Sequence, residues 1–323
     1  MPAVSVIIPV FRAEPYIAQC ARSLFSQTLE DMEFVFIDDC SPDKSIDVLL
    51  QVLEKDFIER KPQVKILRMP ENSGSAKVRM VGMSVATGDY VIHCDSDDEL
   101  ASADAYQMLY NKAVEENLDI VTCNYLKEDS SLRPVLVRER CDSVQDLLTD
   151  KVQGSLCCRL VRRALLNDIV PPLENMGEDL VLSIQATLRA HSFGHINEAL
   201  YIYRYRASSI SKEYGMQAAV RRHKGLVANV RMMVDLLTGS YSYSKDDPLI
   251  SCFKYYSRHC IEPWVGNKEC FALWKETFPE VDSRILLSLY LSVEKKIWFL
   301  LIHIHLYTPV KRMTHRLRTI RRR

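Results

Sequence analysis

Much of what would place this chain at a glance is missing from it. No glycine-rich loop follows the first apolar run and no GxGxxG opens the first helical stretch, which weighs against a NAD-dependent oxidoreductase and against a nucleotidyltransferase. The ten cysteines fall at irregular spacings without a CxxC pair, so neither a disulfide framework nor a cysteine metal site is indicated, and reduced thiols are expected. His191 with His195 and His303 with His305 lack the HExxH pattern and read as ordinary packed or surface histidines. The N-terminus, Met1 to Pro9, has no basic leader region and runs directly into an apolar strand. The apolar stretch from Ile297 to Val310 is interrupted by two histidines and falls short of the roughly 20 residues a membrane span needs. Repeats and low-complexity segments are also absent. Finally, the chain has no acid after Glu294: nine Lys or Arg lie between Lys295 and Arg323, leaving 33 basic and 42 acidic residues in the first 294, a net of −9. A body that acidic is a poor nucleic-acid binder.

What is present is an alternation of strand and helix. Val4–Val10, Glu33–Ile37, Val64–Leu67, Tyr90–Cys94 and Asp119–Cys123 are short apolar runs of the kind buried on both faces of a parallel sheet. Helical periodicity fills the gaps over Tyr16–Gln27, from Ser41 or Asp43 toward Lys55, from Ser75 to near Gly88, and over Asp104–Asn117. This is the pattern of βαβ units with right-handed crossovers, a Rossmann-like half covering the first 125 residues. After Leu126 the alternation breaks down. Lys127–Arg140 reads as a loop or hairpin, Met176–Leu180 opens a helix running to about Ala190, and Leu200–Tyr205 alternates like a strand. From Met216 onward the chain reads as mostly helical.

Acids gather where strands end. Asp38-Asp39 closes the second apolar run, Asp95-Ser96-Asp97-Asp98 closes the fourth, and Glu178-Asp179 sits at a helix start. Carboxylates this crowded need a positive partner, because burying them unpaired costs several kcal/mol or forces protonation. In a parallel sheet the carboxyl ends of the strands share one edge, so the first two clusters are expected to face one crevice, with Arg79 on the intervening helix. A divalent cation carrying a phosphorylated ligand suits that chemistry. For Asp98, Glu99 and Asp179 a helix N-terminal position is the competing structural explanation.

Four segments carry a resemblance: Val4-Ser5-Val6-Ile7-Ile8-Pro9-Val10-Phe11, Ile37-Asp38-Asp39-Cys40-Ser41, Gly74-Ser75-Ala76-Lys77-Val78-Arg79 and Cys94-Asp95-Ser96-Asp97-Asp98. In order and spacing they are similar to the family 2 glycosyltransferases, inverting enzymes of GT-A fold that use nucleotide sugars. Glu178-Asp179 matches the family's downstream acid pair. Leu200-Tyr201-Ile202-Tyr203-Arg204 with Ser208-Ser209-Ile210-Ser211 resembles a segment of bacterial polysaccharide members. The likeness covers roughly residues 2 to 212.

The resemblance implies an α/β GT-A domain over 1–212, with a mostly parallel sheet and helices on both faces. Residues 1–125 would form its nucleotide-sugar half and 126–212 its acceptor half. A helical region with a basic amphipathic tail is expected over 213–323. It also implies roles. Pro9, Phe11, Asp38 and Asp39 would border the nucleobase, Arg79 would meet the diphosphate, and Asp95 with Ser96 would meet the ribose or a metal-bound water. Asp97, with Asp98 in reserve, would ligate Mn²⁺ or Mg²⁺. Asp179 would be the general base, its pKa raised by Glu178. Glu178, Arg159, Arg204 and Ser211 would serve the acceptor or the phosphates. The expected reaction moves a sugar, UDP-linked by analogy, to a glycan or lipid-linked glycan in capsule, O-antigen or exopolysaccharide synthesis. The expected location is the cytoplasm, peripheral on the inner face of the membrane, with the C-terminal tail against anionic lipid. A non-catalytic nucleotide-sugar-binding or scaffold protein is the alternative outside enzymes. The sequence departs from the family at Cys40, where Gly is usual, at Met80, where Asn is common, and at Leu156–Leu160, which lacks the usual Trp.

Overall fold

The computed structural model describes residues 1–206, 215–307 and 309–311. Ser211, expected at the acceptor or the phosphates, and Arg312 to Arg323, expected at the membrane, lie outside the described residues. The described chain divides into two units, 1–147 with 152–206 and 148–151 with the residues from 215 onward.

The first unit is a mixed sheet clad in helices. Its elements in order are β1 (Val4–Val10), α1 (Ile17–Phe25), β2 (Met32–Asp38), α2 (Ser45–Asp56), β3 (Val64–Arg68), α3 (Ser75–Val85), β4 (Tyr90–His93), β5 (Glu99–Leu100), α4 (Ala105–Glu115), β6 (Ile120–Glu128), β7 (Pro134–Val137), α5 (Val144–Leu148), β8 (Arg159–Arg162), α6 (Glu178–Arg189) and β9 (Phe193–Tyr203). The strand order is β3-β2-β1-β4-β8-β6-β9-β5, with β7 on β6. Strands β1 to β4 run parallel, with β1, β2 and β4 buried almost throughout and β3 part-exposed at the edge. Beyond β4 the sheet becomes mixed: β8 is antiparallel to both β4 and β6, β7 forms a hairpin with β6, and β9 returns parallel to β6.

One feature of this order places the site. The chain leaves β1 for β2 and β3 on one side, then comes back to β4 on the other. That makes the carboxyl ends of β1 and β4 a topological switch point, where the flanking loops part and leave a crevice. One side of the sheet is filled by Val6, Ile8, Phe34, Phe36 and Ile92 against Ile17, Leu24 and Phe25 of α1. The other packs Ile7, Val35, Ile37 and Val91 against Val78 of α3. With both faces covered, only the strand ends are left for chemistry.

The second unit carries α7 (Met216–Ser240), α8 (Pro248–Tyr256), α9 (Lys268–Glu276), α10 (Asp282–Ile285) and α11 (Val293–His303). Its core is built round a buried cation. Arg258 donates to the Thr277 carbonyl at 2.8 and 2.6 Å and to Phe278 at 3.0 Å, pairs with Asp282 at 2.7 Å, and lies 4.4 Å from the Trp274 ring centre. No helix among the described residues is long and apolar enough to cross a membrane.

Candidate active site

The loop after β4 is a tight turn, closed by the Asp98 amide donating to the Asp95 carbonyl at 3.1 Å. That turn separates the acids. Asp95 and Asp97 keep side chains 35% and 22% exposed toward the crevice, whereas Asp98 turns inward and is almost wholly buried. The Tyr201 hydroxyl donates to Asp98 Oδ2 at 2.8 Å and accepts from the Asp95 amide at 3.1 Å, and the Arg204 amide donates to Asp98 Oδ1 at 2.9 Å. Burial, then Asp97 and Asp95, push the Asp98 carboxyl well above its usual range. Asp98, expected in reserve for a metal, is therefore spent on holding the turn to β9. Ser96 is buried within the same turn.

Arg79, on α3, is the centre of the site. It is itself almost fully buried, yet its Nη2 meets Asp95 Oδ1 at 2.7 Å and its Nε lies 3.5 Å from Asp179 Oδ1 and 3.9 Å from Glu178 Oε1. Burial works against its charge, but Asp95, Asp179 and Glu178 outweigh it and the guanidinium stays firmly protonated. Its Nη1 also lies 3.3 Å from His93 Nδ1. Burial and the Arg79 charge both depress the His93 pKa well below its normal value, so the ring is neutral and accepts this hydrogen bond. The sequence reading missed His93, although it sits one residue before Cys94 on the apolar run.

Two helix starts meet beside Arg79. At the start of α3 the Ala76 amide donates to Asn175 Oδ1 at 3.0 Å, and Ser75 Oγ donates to Glu178 Oε1 at 2.7 Å. Glu178 and Asp179 are the first two residues of α6, where the helix dipole favours negative charge. Burial, then repulsion from Asp179, raise the Glu178 pKa to about 8 against the pull of Arg79. Glu178 thus holds a proton at neutral pH. The repulsion expected to fall on Asp179 falls instead on its neighbour. The Asp179 pKa is raised by burial first, with Arg79 opposing and Asp95 and Glu139 assisting. Its side chain stays 38% exposed.

The nucleobase side is made by the ends of β1 and β2. Asp39 receives the Ser73 amide on Oδ1 at 2.7 Å and the Gly74 amide on Oδ2 at 2.8 Å, which fixes the loop leading into α3. Gly74 has φ 83°, and a Cβ there would meet Asn175 Nδ2 at 2.2 Å, so the position demands glycine twice over. Asp38 accepts from the Ser41 amide at 2.8 Å and pairs with Arg68 at 3.3 Å. Cys40 adopts φ 54°, the left-handed conformation that the usual glycine takes freely. Pro9 and Phe11 border this end, both partly exposed, with the Arg12 guanidinium 5.3 Å from the Phe11 ring centre.

Two expected basic residues stand elsewhere. Arg159 is buried on β8, where it donates to Thr187 of α6 at 3.3 Å, because the strand directs it under that helix. Arg204 is committed to Glu99 through both Nε and Nη2. The cation that reaches the crevice is Arg206, two residues on. Its Nη1 lies 2.5 Å from Asp97 Oδ2, and its guanidinium stacks 4.5 Å from the Tyr16 ring centre.

Among the described residues no three His, Cys, Asp or Glu side chains converge as a ready-made metal cage. The donor set nevertheless suits a hard cation. Asp97 and Asp95 present partly exposed oxygens, and Mg²⁺ or Mn²⁺ is commonly held by one or two carboxylates plus substrate phosphates.

The comparisons agree with this geometry. Residues 5–169 match the family model for glycosyl transferase family 2, and the chain belongs to that family. Its curated relatives include the uncharacterized glycosyltransferase EpsJ of Bacillus subtilis (strain 168), 28% identical over 70% of this chain and 72% of that protein. The putative glycosyltransferase EpsH of the same organism is 29% identical over 66% of this chain and 64% of its own length. Among solved structures, residues 1–349 of S. aureus TarS in complex with UDP-GlcNAc superpose with a TM-score of 0.57 at 19% identity, over 98% of this chain and 92% of that one. The mannosyltransferase PcManGT from Pyrobaculum calidifontis, in complex with GDP-Man and Mn²⁺, gives 0.53 at 14% identity over 97% and 87%. The fold is that of the GT-A glycosyltransferases, extended by a helical C-terminal region.

Proposed function

We propose that this enzyme transfers a sugar, with inversion, from a nucleotide-diphosphate sugar to a hydroxyl of a glycan or lipid-linked glycan in the synthesis of a bacterial surface polysaccharide. UDP is the favoured nucleotide, supported by the TarS complexes with UDP-GlcNAc and with UDP. The observation that carries the reading is the single Arg79 guanidinium lying 2.7 Å from Asp95 and 3.5 Å from Asp179. It ties the donor end of the crevice to a carboxylate able to take a proton.

In this reading Asp39, Phe11 and Pro9 seat the base, and Asp95 and Ser96 line the ribose side. Asp97 would hold the Mn²⁺ or Mg²⁺, assisted by Asp95 and the donor phosphates, and the ion would neutralise charge on the leaving diphosphate. The acceptor oxygen attacks the anomeric carbon as the bond to the phosphate oxygen breaks, and Asp179 receives the hydroxyl proton. Because Glu178 already holds its own proton, the negative charge needed for that task resides on Asp179. The raised pKa of Asp179 improves its match to the proton it takes. Arg79 keeps it oriented. A lipid-linked acceptor places the reaction at the inner face of the cytoplasmic membrane.

The test is Asp179→Asn. Transfer from UDP-sugars should fall by roughly 10²- to 10⁴-fold, the usual worth of a positioned base. UDP affinity in calorimetry should stay within a few-fold, and the wild-type product should carry the inverted anomeric configuration by NMR. Full transfer by the variant would remove Asp179 from the chemistry.

A further inference from the structure

Helix α11 is apolar on more than one side, but the described residues cover only one of them. Phe299 and Ile302 are buried, Phe299 lying 5.6 Å from Trp274 and 6.0 Å from Tyr255 between ring centres. Val293, Ile297, Leu300 and Ile304 recur at helical spacing on another side, and all four are exposed, Val293 at 71%. The segment leading into the helix adds Leu286, Leu287 and Leu289, the last 93% exposed. Of the sixteen most exposed large apolar side chains among the described residues, eight fall between Leu286 and Leu306. Single exposed leucines are ordinary, but a concentrated strip of them marks a docking surface.

The charge in the sequence around the strip selects the occupant. Nine Lys or Arg and no acid lie from Lys295 to the last residue, in a chain whose first 294 residues are net −9. The basic run calls for an anionic partner, and the strip beside it calls for an apolar one. An anionic bilayer satisfies both features, since apolar side chains enter the acyl boundary while Lys and Arg meet the headgroups. Trp298, partly exposed beside the strip, adds one of the amphipathic aromatics favoured at that depth.

We infer that the strip Leu286–Leu289 with the Val293/Ile297/Leu300/Ile304 side of α11 docks this protein onto an anionic lipid surface, without spanning it. The inference deepens the proposed function by assigning a membrane-contact surface, and its test is independent of catalysis. Full-length protein is sedimented with vesicles of phosphatidylcholine alone and with about a third phosphatidylglycerol. Wild type is compared with the triple variant Leu289→Ser, Ile297→Ser, Leu300→Ser, whose sites are all exposed. Wild type should bind the anionic vesicles at least tenfold more tightly than the neutral ones, and the triple variant should lose tenfold or more. Equal binding by the variant, or no binding by wild type, would overturn the inference. So would a wild-type dimer in sedimentation velocity that the variant abolishes, since a second copy would then be the occupant. UDP binding measured on the same samples separates this outcome from a failure of the donor site, because none of the three residues belongs to it.

Discussion

At the level of single residues, Glu178 and Asp179 are adjacent like charges that the fold sets to different tasks. Burial and repulsion from Asp179 keep a proton on Glu178 up to a pKa of about 8, against the pull of Arg79 and the Ser75 hydrogen bond, while the unfolded chain releases it near 4.5. Between those values the folded state holds the extra proton, so this residue's contribution to stability declines as pH rises. Glu178→Gln, which mimics the protonated form, should match wild type near pH 4. It should then exceed wild type by a margin that grows toward pH 8, at most about 1.4 kcal/mol for each pH unit crossed. Urea denaturation at pH 5 and pH 8 measures this, and an equal gap at both would mean that Glu178 is ionised in the fold. Arg206 carries a second residue-scale prediction. Its guanidinium sits on Asp97, the carboxylate proposed to hold the metal, so cation and arginine compete for one oxygen. Arg206→Gln should bind Mn²⁺ more tightly in the absence of nucleotide, by roughly two- to fivefold, the worth of a partly exposed ion pair. Electron paramagnetic resonance of free Mn²⁺ reads this directly. Weaker binding would place the ion away from Asp97.

At the level of elements, the turns after β1 and β2 are locked together by one acid. Asp43 accepts from Ser41 Oγ at 2.6 Å, from Ser45 Oγ at 2.5 Å and from the Glu14 amide at 3.0 Å, which lowers its pKa to about 2 from 3.8. A depressed carboxylate stabilises above its unfolded pKa and stops doing so as pH falls through its folded one. Asp43→Ala should therefore cost about 1–2 kcal/mol at pH 7, with the gap to wild type closing between pH 4 and pH 2 in thermal melts. A gap that persists at pH 2 would point to lost packing rather than lost charge. Such parts were legible in sequence because β1, β2 and β4 are buried on both faces, and the apolar runs, the turn residues and the acids at strand exits all stand out. The second half of the sheet was not. Strand β8 has four residues and three of its side chains are buried, including Arg159, so its basic character concealed a central strand. The inward turn of Asp98 depends on Tyr201, 103 positions away, and the choice of Arg206 over Arg204 depends on where β9 ends. Local pattern carries neither relation.

At the level of the whole molecule, chemistry and lipid contact are assigned to different units: the crevice belongs wholly to the first, and the exposed apolar strip wholly to the second. A ligand that binds only the folded form stabilises the structure it touches by about 2.7 kcal/mol at a hundred times its dissociation constant. Hydrogen exchange of the full chain with saturating UDP and Mn²⁺ should therefore slow at Ser73–Arg79, at Asp95–Asp98 and around Glu178-Asp179. Exchange in α8, α9 and α11 should stay within error of the ligand-free protein. The buried core around Arg258, with four polar contacts and the Trp274 ring, gives those helices a source of stability that the nucleotide does not touch. Adding anionic vesicles should produce the reverse pattern, slowing α11 and leaving the acid turn after β4 unchanged. If nucleotide protected both units equally, the crevice and the helical unit would unfold as one cooperative body, and donor binding would be coupled energetically to the surface proposed to meet lipid.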